Sequence, residues 1–145
     1  MKKYVYLGGP MEGMNQKQID DWRWAVSKEW EMDGRTIVGI TPNRCEPDEP
    51  YSQRGVKEIY HKNLMDSKRC DLLFAYLPSE MSEGRGNYGT TMECAWFMFM
   101  NKPIILVTDN PDISNHPLFA YGCGWIVKTL DEGVDIANQL LGVYE

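Results

Sequence analysis

The feature that most constrains this chain is a regular alternation of short apolar runs with longer segments whose apolar residues recur at helical spacing. Lys3 to Leu7 reads as a strand closed by Gly8-Gly9-Pro10, a strong breaker. Gln16 to Met32 places Ile19, Trp22, Val26 and Trp30 along one helical face, and Gly34 follows as a stop signal. Thr36 to Ile40 is a short β-branched strand, and the proline-bearing stretch Thr41 to Arg54 reads as a loop. Val56 to Lys68 is helical by the spacing of Ile59, Tyr60, Leu64 and Met65. Asp71 to Leu77 is almost continuously apolar, as a strand covered on both faces should be. Pro78 to Tyr88 is a polar loop, and Gly89 to Asn101 a helix apolar nearly all round, hence expected to be buried. Pro103 to Val107 and Trp125 to Lys128 supply two more strands, and Leu130 to Leu141 a closing amphipathic helix.

Strands alternating with helices imply right-handed βαβ units and a doubly wound α/β sheet. Five parallel strands favour the flavodoxin-like order 2-1-3-4-5, in which ligands bind at the carboxyl edge where the strand order reverses. That rule selects two loops, Gly8 to Met14 and Pro78 to Gly89. With 145 residues and no repeat or composition shift, residues 1–145 are expected to form one domain.

Composition narrows the partner. Fifteen Lys and Arg are scattered among twenty-one acidic residues, for a net charge of -6, which argues against nucleic acid and for a small ligand. No apolar run approaches the ~18 residues of a membrane span, and the basic start Met1-Lys2-Lys3 leads into a strand, not a signal peptide. Cys45, Cys70, Cys94 and Cys123 lie far apart without metal spacing, so free thiols in a cytoplasmic protein are expected, with no metal or cofactor. Trp22, Trp24, Trp30 and Trp96 fall on helices, where they suit a core or a subunit interface, and a homo-oligomer is expected. His61 and His116 lack metal-ligand spacing and suit surface or hydrogen-bonded roles.

Glu93 stands out because it opens an otherwise apolar helix: Met92, Cys94, Ala95, Trp96, Phe97 and Met98 surround it. It reads either as a carboxylate favoured by the helix dipole, worth ~0.3–1 kcal/mol, or as a nucleophile held at the sheet edge. A carboxylate can attack an anomeric carbon, since that transition state is oxocarbenium-like and the ester splits one hard step into two.

Tyr6-Leu7-Gly8-Gly9-Pro10, Asn63-Leu64, Asn87-Tyr88-Gly89-Thr90-Thr91-Met92-Glu93 and Lys102-Pro103-Ile104, in this order and spacing, resemble the nucleoside 2-deoxyribosyltransferase superfamily. Its members include deoxyribosyl-transferring enzymes and hydrolases of nucleoside monophosphates. The resemblance implies that Glu93 is the nucleophile and that Tyr6 orients it, although Tyr6 also suits a plain core position. It further implies that Gly8, Gly9, Pro10, Asn63, Asn87, Gly89 and Thr90 line the substrate site. The transferases carry aspartates where this chain has Asn63 and Asn87, and an amide cannot supply a proton as an acid would. Arg85, in the same glycine-flanked loop, suits either a substrate phosphate or an exposed loop charge. The implied activity is cleavage of the N-glycosidic bond of a nucleoside with transfer of the deoxyribosyl group to another base. Hydrolysis of a nucleoside monophosphate and a silent nucleotide-binding module are the alternatives.

Overall fold

In the computed structural model, residues 1–32, 36–42, 53–81 and 87–142 are described. The elements in chain order are β1 (Lys3–Gly8), α1 (Gln16–Met32), β2 (Ile37–Ile40), α2 (Gln53–Arg69) and β3 (Leu72–Tyr76). A 3-10 turn at Ser79–Met81 leads on to α3 (Tyr88–Phe99), β4 (Ile104–Val107), α4 (Pro111–Ser114), α5 (Pro117–Gly122), β5 (Trp125–Val127) and α6 (Leu130–Leu141). The five strands form one all-parallel sheet in the order β2-β1-β3-β4-β5, as the alternation predicts. The order reverses at β1, whose Tyr6 pairs in register with Ile40 on one side and Leu73 on the other.

Successive strand residues point to opposite faces, so the pleat sorts the core into two layers. Val5, Leu7, Leu72, Phe74, Ile105 and Val107 pack with Trp22, Val26 and Trp30 of α1 and with Val134 and Ala137 of α6. Tyr6, Leu73, Ala75, Ile104 and Leu106 pack on the other side with Cys94 and Phe97 of α3. Helix α6 comes so close that a Cβ at Gly133 would lie 2.7 Å from Val107 Cγ2 and 2.8 Å from Phe74 Cζ. Only a residue without a side chain fits there.

Several expectations need correction. Helix α3 is not buried all round: Thr90, Glu93, Cys94 and Phe97 face inward, whereas Met92 is half-exposed and Phe99 is 92% exposed. It also ends at Phe99, because Asn101 adopts a left-handed φ of 56° that turns the chain into β4. Helix α2 begins three residues early, at Gln53. Two short helices fill the stretch before β5. Each has a side-chain N-cap followed by proline, Asn110-Pro111 and His116-Pro117, a helix-start signal that periodicity alone overlooks. Of the tryptophans, Trp22 and Trp30 are core but Trp24 is 65% exposed. Cys70, Cys94 and Cys123 are free and buried. Gly34, Cys45 and Arg85 lie outside the described residues. No helix among the described residues is long and apolar enough to cross a membrane.

Candidate active site at the β1–β3 edge

The pleat that separates the two core layers also gathers the candidate site. Tyr6 and Gly8 are two residues apart on β1 and therefore share a face, the one covered by α3. On that helix Thr90 and Glu93 are one turn apart and point inward together. A Cβ added to Gly8 would sit 3.6 Å from Glu93 Oε1 and 3.7 Å from Tyr6 Cδ1, so the end of β1 forms the wall against the carboxylate. The Tyr6 ring is held in turn by Phe97, with ring centroids 6.0 Å apart.

Glu93 is buried, and burial pushes its carboxyl up to about 7, despite the opposing pull of the Tyr6 hydroxyl, Arg23 and Lys62. Desolvation, with the neighbouring Glu93 charge second, holds the Tyr6 phenol well above its ordinary range. The phenol therefore stays protonated as a potential donor. The Tyr6 hydroxyl and Glu93 Oε2 influence each other without completing a hydrogen bond. Thr90 Oγ1 is likewise buried without a partner among the described residues. These three buried polar atoms, from β1 and α3, have no hydrogen-bond partner among the described residues.

Two cations back this cluster. Arg23 is fully buried in α1; its Nε donates to Leu7 O at 3.0 Å, its Nη2 to Gly9 O at 3.1 Å, and its Nη1 to Ile19 O. Its guanidinium carbon also lies 4.5 Å from the centre of the Trp22 ring. Lys62 of α2 pairs with the buried Asp66 at 3.7 Å and donates to Asn63 Oδ1 at 3.0 Å and to Pro42 O. Neither cation is among the residues singled out from sequence. For Arg23 a signal exists: a cation inside the apolar stripe Ile19, Trp22, Val26, Trp30.

Solved structures of similar shape give this architecture a context. A 2-deoxyribosyltransferase from Leishmania mexicana is 14% identical with a TM-score of 0.71, covering 94% of this chain and 97% of its own. A 2-deoxyribosyltransferase from Bacillus psychrosaccharolyticus is 17% identical with a TM-score of 0.67, covering 89% and 88%. A CMP N-glycosidase from Clostridium botulinum is 16% identical with a TM-score of 0.59, covering 96% and 100%. These solved structures share the fold of this chain. No protein-family model matches the sequence, and no curated protein matches it by sequence.

The remaining residues expected at a deoxyribosyltransferase-like site distribute unevenly. Gly9 and Pro10 are buried at the end of β1, and a Cβ on Gly9 would meet Trp22 Cζ2 at 2.7 Å and Tyr76 O at 3.2 Å. Gly9 is thus required by packing. Gly89 has open space where a Cβ would go, so it leaves room and is not forced by close approach. Asn63 is half-buried beside Lys62. Asn87 stands at the N-cap of α3 without a side-chain capping bond, and it lines a second cleft of about 510 Å³ with Ser79, Asn110, His116 and Phe119. Glu93 and Tyr6 are not among the residues lining that cleft. His116 Nδ1 accepts from Leu118 N, an N-cap role for a residue expected to be a hydrogen-bonded or surface histidine.

Proposed function

We propose that this chain cleaves the N-glycosidic bond of a nucleoside or nucleotide through Glu93 and passes the deoxyribosyl group to a second base. The observation that carries the reading is a buried carboxylate with an uncommitted oxygen, raised to about 7, beside an uncommitted tyrosine hydroxyl at the β1–β3 switch point. Glu93 attacks the anomeric carbon as the carbon–nitrogen bond to the base breaks, and the base leaves with the electron pair. The glycosyl ester that forms is opened by a nitrogen of the acceptor base. The Tyr6 hydroxyl orients the carboxylate by closing the hydrogen bond it now lacks. Thr90 Oγ1 donates to the bound sugar, and Gly8, Gly89 and the half-buried Asn63 leave room for it and contact it.

Hydrolysis of a nucleoside monophosphate is the second reading. Asn87 carries no charge, so the cleft it lines repels a phosphate less than an aspartate there would, and a guanidinium such as that of Arg85, two residues earlier in the sequence, suits a phosphate. The half-exposed or exposed Tyr60, Tyr88, Met92 and Phe99 suit self-association, and the buried free thiols suit a reducing, cytoplasmic setting.

A 2-fluoro-2-deoxy nucleoside tests the mechanism, because the slowed second step lets the ester accumulate. Peptide mass spectrometry is expected to locate the adduct on Glu93, and an adduct on another residue would move the nucleophile. Incubation with nucleosides and monophosphates, with and without an acceptor base, separates exchange from release of free base. Binding without turnover would leave a silent nucleotide-binding module.

A further inference from the structure

Arg23 does more than fill the apolar face of α1. Its Nε and Nη2 bind the carbonyls of Leu7 and Gly9, the two residues on either side of Gly8. Gly8 is the backbone wall against Glu93 Oε1, within 3.6 Å of where its Cβ would be. The third contact, from Nη1 to Ile19 O, anchors the guanidinium to its own helix, and Trp22 covers its face. A planar fork reaching three carbonyls is a geometry that a lysine ammonium cannot reproduce.

We infer that Arg23 is a positioning residue for Glu93: its guanidinium clamps β1 on both sides of Gly8 and places a fixed buried cation behind the carboxylate. The groups facing Glu93 are Tyr6 from β1, Arg23 from α1 and Lys62 from α2, with Asp66 acting on Tyr6 from α2 and Cys94 adjacent on α3. Arg23 is the cation hydrogen-bonded to the strand end on both sides of Gly8. A carboxylate in an apolar site is ionised only if fixed charge or hydrogen bonds oppose its desolvation. This inference rests on Glu93 being the reacting group, and its test reads the carboxylate directly so that the two can fail separately.

The experiment follows the Glu93 carboxyl carbon by NMR in protein labelled at the glutamate side-chain carboxyls, assigned by loss of its signal in E93Q. Wild type, R23Q and R23K are titrated and assayed for turnover of a nucleoside. In R23Q the midpoint of Glu93 is expected to rise by about 0.5–1 pH unit, the acid limb of kcat/KM moving with it. In R23K the midpoint stays near wild type, but kcat falls about tenfold or more with KM little changed, because the carbonyl clamp is lost. An unmoved midpoint in R23Q overturns the electrostatic half of the inference, and wild-type kcat in R23K overturns the positioning half. Should R23Q fail to fold, R23K decides the positioning half and R23M, titrated in the same way, decides the electrostatic half. The expected midpoint shift in a protein that turns over no nucleoside would leave Arg23's electrostatic role intact and defeat the glycosidase reading, and the positioning half with it.

Discussion

Replacing Glu93 by Gln should stabilise the protein while abolishing turnover, and the stabilisation should depend on pH in a defined way. The carboxyl's ordinary value is 4.5, and burial raises it to about 7 in the folded chain. The folded state therefore holds the proton more tightly than the unfolded state. Stability is full below the unfolded value, falls as pH rises towards about 7, and stays reduced above it. The difference between the two values corresponds to about 3 kcal/mol at alkaline pH. That figure is net of the attraction of Arg23 and Lys62, since both already act to lower the folded value. Glutamine has nearly the same volume and no charge, so E93Q escapes the penalty without opening a cavity. Urea unfolding at pH 4.5 should give the two proteins stabilities within about 0.5 kcal/mol. At pH 8.5 E93Q should be ahead by about 3 kcal/mol, or about 6–12 °C in melting temperature for a chain of this size. A stability difference that does not change with pH would refute the raised carboxyl, and near-normal turnover in E93Q would remove Glu93 as nucleophile.

Other expectations follow from single contacts. Tyr6→Phe removes a buried hydroxyl that has no completed hydrogen bond, so it should leave melting unchanged or slightly raised; the acid limb of kcat/KM should move to higher pH, since the hydroxyl lowers the Glu93 value. Gly8→Ala puts a methyl 3.2 Å from Leu73 Cδ1 and 3.6 Å from Glu93 Oε1, and steady-state kinetics should show kcat/KM down about tenfold or more with only a small loss of stability. Gly9→Ala should instead destabilise by about 1–3 kcal/mol in urea unfolding, because its methyl would fall 2.7 Å from Trp22 and 3.2 Å from the Tyr76 carbonyl. Gly89→Ala, with open space around it, should fold as wild type by melting.

The sequence alone determined what depends on local periodicity. The apolar runs mark the five strands, the helical spacing of Ile19, Trp22, Val26 and Trp30 marks α1 from Gln16 to Met32, and Leu130 to Leu141 coincides with α6. The parallel order follows, because βαβ connections of one hand leave few alternatives. The pairing of Tyr6 with Gly8 on one face is also written in the chain, since a strand alternates every residue. Tertiary structure alone decided which charges act on Glu93. Arg23 lies seventy residues before it and Lys62 thirty-one before it, and no local pattern predicts that the charges of both act on one carboxylate. The rise to about 7 is likewise a property of burial among elements distant in sequence. Helix α3 makes the same point from the other side: its composition reads as buried throughout, but only the face carrying Thr90, Glu93, Cys94 and Phe97 meets the sheet, so Phe99 is left in solvent. Hydrophobicity states what a residue gains by burial, whereas the area of sheet available to cover it is set by how the elements stack.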